Sequence, residues 1–269
     1  MSEVGDQKCC FPFLLPTSYF LLWIVQQILG IRFFDGSATE AVAQAIAGGG
    51  LIVAPSGTCF TRLQRDEIYR RAISGADIAL PDSGFMVLLW RFLRGRRIAR
   101  ISGLAYLRRL LAGPDLRSAG SAIWILPNDT AREKTIAALA REGFVISETD
   151  FYIAPWYGRD VEDHALLASI KTRRPRHVVI ALSGGVQEKL GFYLRDNCGY
   201  RPAIHCIGAA LGFITGYQVA IPNWADRLYL GWLLRLLSQP RKFLPRAFNA
   251  LALPGLMMRY GENIPPLKT

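Results

Sequence analysis

Two acidic positions stand where an apolar run gives way to a turn, and each offers a different chemistry. In LPDSGF, Asp82 follows ADIAL and precedes a glycine that lets the chain turn into FMVLLWRFLRGRR. A carboxylate at a strand end can accept a proton from an attacking hydroxyl. Asp is also among the preferred helix N-caps, and the residues alone leave both roles open. In HVVIALSGGVQEKL, Ser183, Gly184 and Gly185 end an apolar run and lead into a helix-like pattern. Small residues there let a ligand approach the backbone, and a helix start with unpaired N–H groups and a positive dipole end suits a diphosphate. Glu188 falls in the first turn of that helix, where an acid is routinely favourable. A plain turn and cap is therefore the competing reading of the stretch.

A third group is basic. Arg227, Arg235, Arg241, Lys242 and Arg246 are interleaved with Trp224, Trp232, Phe243 and Phe248. Cations among aromatics serve lipid headgroups or nucleic-acid phosphates alike, and a solvated basic face is the plain alternative. No nucleic-acid module accompanies them, so no nucleic-acid partner is expected. His164, His177 and His205 are scattered, with core or surface roles expected for each, and neither a Ser-His-Asp order nor an H-E-x-x-H pattern points to a hydrolase. Cys9, Cys10, Cys59, Cys198 and Cys206 form no C-x-x-C pair, which fits a reducing compartment and gives no reason to expect a metal.

The elements that must position these residues follow from patterning. A chain of 269 residues with 51% hydrophobic content can bury a full core, and its net charge of +11 attracts anionic partners. Short apolar runs alternate with amphipathic stretches, as in strands and crossover helices of a largely parallel sheet. LIVAP (51–55), ADIALPD (76–82), AIWILP (122–127), HVVIAL and AIHCIG read as strands, and FVISETDF suggests another. RLQRDEIYRRAIS reads as a helix, and Asn128-Asp129-Thr130 caps a helix over REKTIAALAREGF. Residues 9–31 carry no charge but include Pro12, Pro16, Gln26 and Gln27, which favours interfacial or partner contact, with ordinary packing next and a spanning helix last. The opening MSEVGDQK is not a positive leader, so a signal peptide is not expected. From Trp224 the chain becomes rich in Leu, Trp and Arg and is broken by Pro240, Pro245 and Pro254, the composition of a short-helix appendage. The expected division is 1–27, an apolar N-terminal segment; 28–223, the body; and 224–269, the appendage.

Taken in order, ILGIRFFDGSATEAVAQAIAGGGLIVAPSGT, ADIALPDSGF, ARISGLAYL, SGGVQE, CIGAALGFITG and IPNWADRLYLGWLLRLLSQPRKF resemble the WecG/TagA/CpsF glycosyltransferase family over roughly 28–248. The resemblance implies an α/β fold, a Rossmann-like largely parallel sheet flanked by helices, with a C-terminal helical appendage. It implies an inverting transfer of a sugar from a UDP-sugar donor to a polyprenyl-diphosphate-linked acceptor, without an essential metal or other cofactor. Asp82 matches the family's P-D-G aspartate, its proposed general base. Gln187 and Glu188 match its Q-E pair in the donor region, to which Ser183, Gly184 and Gly208 also belong. Arg100 matches the arginine of its R-x-x-G element, and Trp232, Arg235, Lys242 and Arg246 fall in the appendage that covers the lipid diphosphate.

Several positions depart from the family pattern. Ala54-Pro55-Ser56 replaces T-x-N, Ser83 takes the glycine place of P-D-G, Ala220 replaces the arginine of R-A-P and Gly231 the glutamate of E-W. Ala54 has no hydroxyl and Ala220 no guanidinium, so a non-catalytic scaffold subunit of a polysaccharide-assembly complex is the alternative. The uncharged stretch 9–31 and the basic, Trp-rich run 224–260 predict peripheral attachment to an anionic membrane surface, which the resemblance implies is the cytoplasmic face of a bacterial inner membrane, and a homo-oligomer stays open.

Overall fold

The structure, a computed structural model, describes residues 25–218 and 250–268. Its sheet has eight strands: β1 (Val25–Ile28), β2 (Ile31–Phe34), β3 (Gly50–Val53), β4 (Ile78–Ala79), β5 (Ala122–Leu126), β6 (Phe151–Ile153), β7 (His177–Ile180) and β8 (Ala203–Cys206). Their order is β1-β2-β4-β3-β8-β7-β5-β6, with β1 antiparallel on β2 and all other pairs parallel. Every residue of β3, β5, β7 and β8 is buried, as a sheet covered on both faces requires. Side chains alternate between two cores: Leu51, Val53, Ile123, Ile125, Val178 and Ile180 face one, and Ile52, Trp124, Leu126 and Val179 the other. This is the Rossmann-like α/β arrangement.

The helices are α1 (Ala38–Gly48), α2 (Glu67–Ser74), α3 (Gly84–Arg94), α4 (Gly103–Ala112), α5 (Asp129–Arg141), α6 (His164–Arg173), α7 (Val186–Asn197), α8 (Ala210–Thr215) and a terminal helix, Ala252–Tyr260. Polar caps set their starts. Ser37, Asp66, Ser83, Ser102, Asn128 and Asp163 each accept a backbone N–H from the first turn they precede.

Two stretches differ from the sequence reading. RLQRDEIYRRAIS is not one helix: a 3-10 helix, Gly57–Gln64, ends before Asp66, whose carboxylate accepts Tyr69 N–H at 3.0 Å and starts α2 afresh. FVISETDF contributes only its last residue to β6, because Ser147 and Asp150 close a capping box around a 3-10 turn. Residues 25–27 pair in β1, while most of 1–27 and of 224–269 lies outside the described residues. Among the described residues no helix is long and apolar enough to cross a membrane.

Candidate active site

Parallel strands deliver their following loops to one edge, and there the residues of interest gather. Asp82 follows β4, residues 54–56 follow β3, Gly208 follows β8 and residues 183–185 follow β7. These four strands are neighbours, so about 14 Å separates β4 from β7 at the usual inter-strand spacing. That is room for an extended ligand lying across the edge.

Asp82 is not a cap of its own helix. Ser83 has that role, its hydroxyl accepting Met86 N–H at 3.2 Å. The Asp82 carboxylate reaches instead to the start of α4, where Oδ1 accepts Gly103 N–H at 3.0 Å. Arg100 donates from Nε to the Asp82 carbonyl at 2.8 Å, and its Nη2 stands 4.0 Å from Oδ1. One end of the carboxylate is thereby fixed, yet the side chain stays 29% exposed. An oriented carboxylate that keeps part of its surface exposed can receive a proton. Gly103 also lies close to the loops after β3 and β8, since a Cβ there would stand 3.5 Å from Ala54 Cβ and 3.6 Å from the Ile207 carbonyl.

Gln187 and Glu188 point inward. Gln187 is buried, with Oε1 accepting Gly208 N–H at 2.7 Å and Nε2 donating to Glu188 Oε1 at 3.1 Å. Glu188 Oε2 accepts Gly185 N–H at 2.5 Å. Burial, outweighing the hydrogen bonds from Gln187 and Gly185, pushes the Glu188 carboxyl above the usual range. The pair thus bridges the turns after β7 and β8. Both turns need glycine: Gly185 has φ +95° and Gly208 φ +56°, in the left-handed region that side chains disfavour.

The expected open helix start is absent from α7. Gly185 N–H goes to Glu188, while the N–H groups of Val186 and Gln187 both reach the Ser183 carbonyl at 3.2 Å. An anion at this turn needs another cation. Arg62 supplies one: a Cβ on Gly185 would come within 2.0 Å of its Nη1, so the guanidinium lies directly against the turn. Arg62 is exposed and belongs to the 3-10 helix after β3. Sequence reading placed it inside an amphipathic helix, and nothing in its neighbours signalled the contact.

A cleft of about 320 Å³ opens beside these turns, lined by Ser183, Gly184, Gly208, Thr215, Tyr217 and Gln218 among others. Thr215 Oγ1 is buried there without a partner among the described residues. Tyr217 is braced by Asn128, whose Nδ2 donates to its hydroxyl at 2.8 Å. Of the residues singled out in the sequence, Ser183, Gly184 and Gly208 line this cleft, Asp82 and Arg100 meet three strands away, and Gln187 and Glu188 hold the turns from beneath. Trp232, Arg235, Lys242 and Arg246, like Ala220 and Gly231, lie outside the described residues.

Comparison with known proteins agrees with this architecture. A family profile described as "Glycosyl transferase WecG/TagA/CpsF family" matches residues 26–263. No curated protein matches the chain. With a match from the first strand to beyond the terminal helix, on a mostly parallel α/β sheet, this chain belongs to the WecG/TagA/CpsF family of glycosyltransferases.

Proposed function

We propose that the protein is an inverting glycosyltransferase that moves a hexosyl or N-acetylhexosaminyl group from a UDP-sugar to a polyprenyl-diphosphate-linked acceptor, in envelope or exopolysaccharide synthesis. The observation that carries this reading is the Asp82 carboxylate, fixed through Gly103 N–H and partly exposed at the same sheet edge as the cleft. In this reading the donor's nucleotide occupies the cleft beside residues 183–184 and Gly208, and its sugar extends across β8 and β3 toward Asp82. Asp82 takes the proton of the acceptor hydroxyl as that oxygen attacks the anomeric carbon. The bond to the β-phosphate oxygen breaks on the opposite face, so configuration inverts and UDP leaves. Arg62 meets the negative charge that grows on the diphosphate, because the first N–H groups of α7 are already engaged. Arg100 holds the Asp82 loop, and Arg235, Lys242, Arg246 and Trp232 meet the acceptor's diphosphate. The lipid acceptor places the enzyme at the cytoplasmic face of a bacterial inner membrane.

The test is turnover. Purified protein incubated with a panel of UDP-sugars and a membrane-lipid extract should release UDP only when lipid is present. A scaffold built on the same fold, the reading favoured by Ala54 where the family has a hydroxyl, would bind donor and release none.

A further inference from the structure

Helix α3 is apolar on two opposite faces, and the body covers one of them. Met86, Val87 and Trp90 are buried against the core. Phe85, Leu88 and Phe92 point away from it, and Leu88 is 50% and Phe92 84% exposed. At 3.6 residues per turn these three lie within an arc of about 60°, a continuous stripe along the helix. A solvated helix face would carry polar residues there. The terminal helix packs beside α3, with Arg94 reaching over Gly261, and it exposes Leu251 and Met258, spaced seven residues apart. Arginines edge this surface. Over residues 84–97 and 251–262 there are five, Arg91, Arg94, Arg96, Arg97 and Arg259, and one acid, Glu262, which pairs with Arg96 at 2.8 Å. All five are exposed.

We propose that the exposed face of α3, with the adjoining end of the terminal helix, is the surface by which this protein docks on an anionic lipid bilayer. Phe85, Leu88 and Phe92 enter the interface while the arginine rim meets anionic headgroups. Charge selects this occupant over two others. A second copy docked symmetrically would set the arginine rim against itself. Residues 219–249 of the same chain bring Arg227, Arg235, Arg241, Lys242 and Arg246 against one acid, Asp226, a net charge again of like sign. The placement also suits the reading above, on which this one link rests: α3 begins two residues after Asp82, so a bilayer on its outer face lies next to the base that a lipid-linked hydroxyl must reach.

Flotation of the full chain with vesicles of phosphatidylcholine and phosphatidylglycerol tests the docking without donor or acceptor, so its outcome is separate from that of the transferase reading. At low salt the protein should float with anionic vesicles and stay down with pure phosphatidylcholine. Leu88→Ser with Phe92→Ser should lower the partition at least tenfold. Arg91→Glu with Arg97→Glu should do the same without touching the apolar stripe, and unchanged thermal melts should accompany both pairs. Failure of the intact chain to float would overturn the proposal, as would undiminished flotation of both pairs. A dimer in light scattering that Leu88→Ser with Phe92→Ser turns into a monomer, with no flotation of either, would assign the face to a second copy instead.

Discussion

At the scale of single residues, the site separates groups that would touch substrate from groups that hold them. Asp82 belongs to the first kind under the proposed mechanism. Asp82→Asn keeps an oxygen to accept Gly103 N–H, so the α4 contact and the melting temperature should survive while turnover falls about 10²–10⁴-fold. Steady-state UDP release by the variant checks this. Arg62→Ala should weaken UDP binding in calorimetry roughly 10- to 100-fold, the range of a lost hydrogen bond to a charged group, and Arg62→Lys should restore part of it. Gln187 belongs to the second kind. Its removal in Gln187→Ala strands the Gly208 N–H, which should cost about 1–3 kcal/mol in urea unfolding and loosen the donor turn, with vesicle flotation unchanged.

At the scale of elements, what the sequence disclosed depended on how local the cause was. β5 is an unbroken apolar run, and β7 and β8 carry one histidine each among apolar residues, so burial on both faces makes all three readable. Asn128 was visible as a cap because the cap bonds to a residue three positions on. Asp82 was ambiguous for the opposite reason: its partner, Gly103, is 21 residues away, and only the return of the chain to α4 brings the two together. Glu188 fits a donor contact and a helix acid equally in the sequence, because its bond to Gly185 N–H is local while its place beneath the β7 and β8 turns depends on the fold. Arg62 escaped notice because the amphipathic pattern of RLQRDEIYRR continues across Asp66, which hides the 3-10 helix that turns Arg62 toward Gly185. The two faces of α3 were equally hidden, since an apolar helix in a sequence does not say which faces the fold will cover. Gly208→Ala forces a side chain to φ +56° and brings its Cβ to 3.2 Å from Gln187 Nε2, so it should destabilise by about 1–2 kcal/mol and reduce UDP affinity. Urea unfolding and calorimetry read the two effects.

At the scale of the whole molecule, the sheet buries a chain of ionisable groups that should make its stability depend on acid. Tyr106 OH lies 2.9 Å from His205 Nδ1, and His205 Nε2 lies 3.1 Å from His177 Nδ1. Burial pushes His177 down to about 4 and His205 well below its ordinary value. An unfolded chain takes up protons on both near pH 6.5, and the fold refuses them until about pH 4 for His177. Stability should therefore fall as pH drops from 6.5 toward 4, by up to about 1.4 kcal/mol per unit for each histidine. Glu188, held above the usual carboxylate range, acts with the opposite sign, losing stability as pH rises past the unfolded carboxylate value, and offsets part of the slope. His177→Asn should flatten the decline between pH 6.5 and 5 in urea titrations. Under the proposed function, the Asp82 edge and the neighbouring cleft together perform glycosyl transfer to a lipid-linked acceptor, whatever the acid stability of the sheet. The most direct test compares wild type with Asp82→Asn for UDP release from a UDP-sugar panel, with and without lipid-linked acceptor, on anionic vesicles. Release that requires the acceptor in the wild type and falls about 10²–10⁴-fold in the variant is the predicted result. Donor binding with no acceptor-dependent release across the panel, or equal release by the two proteins, would contradict it.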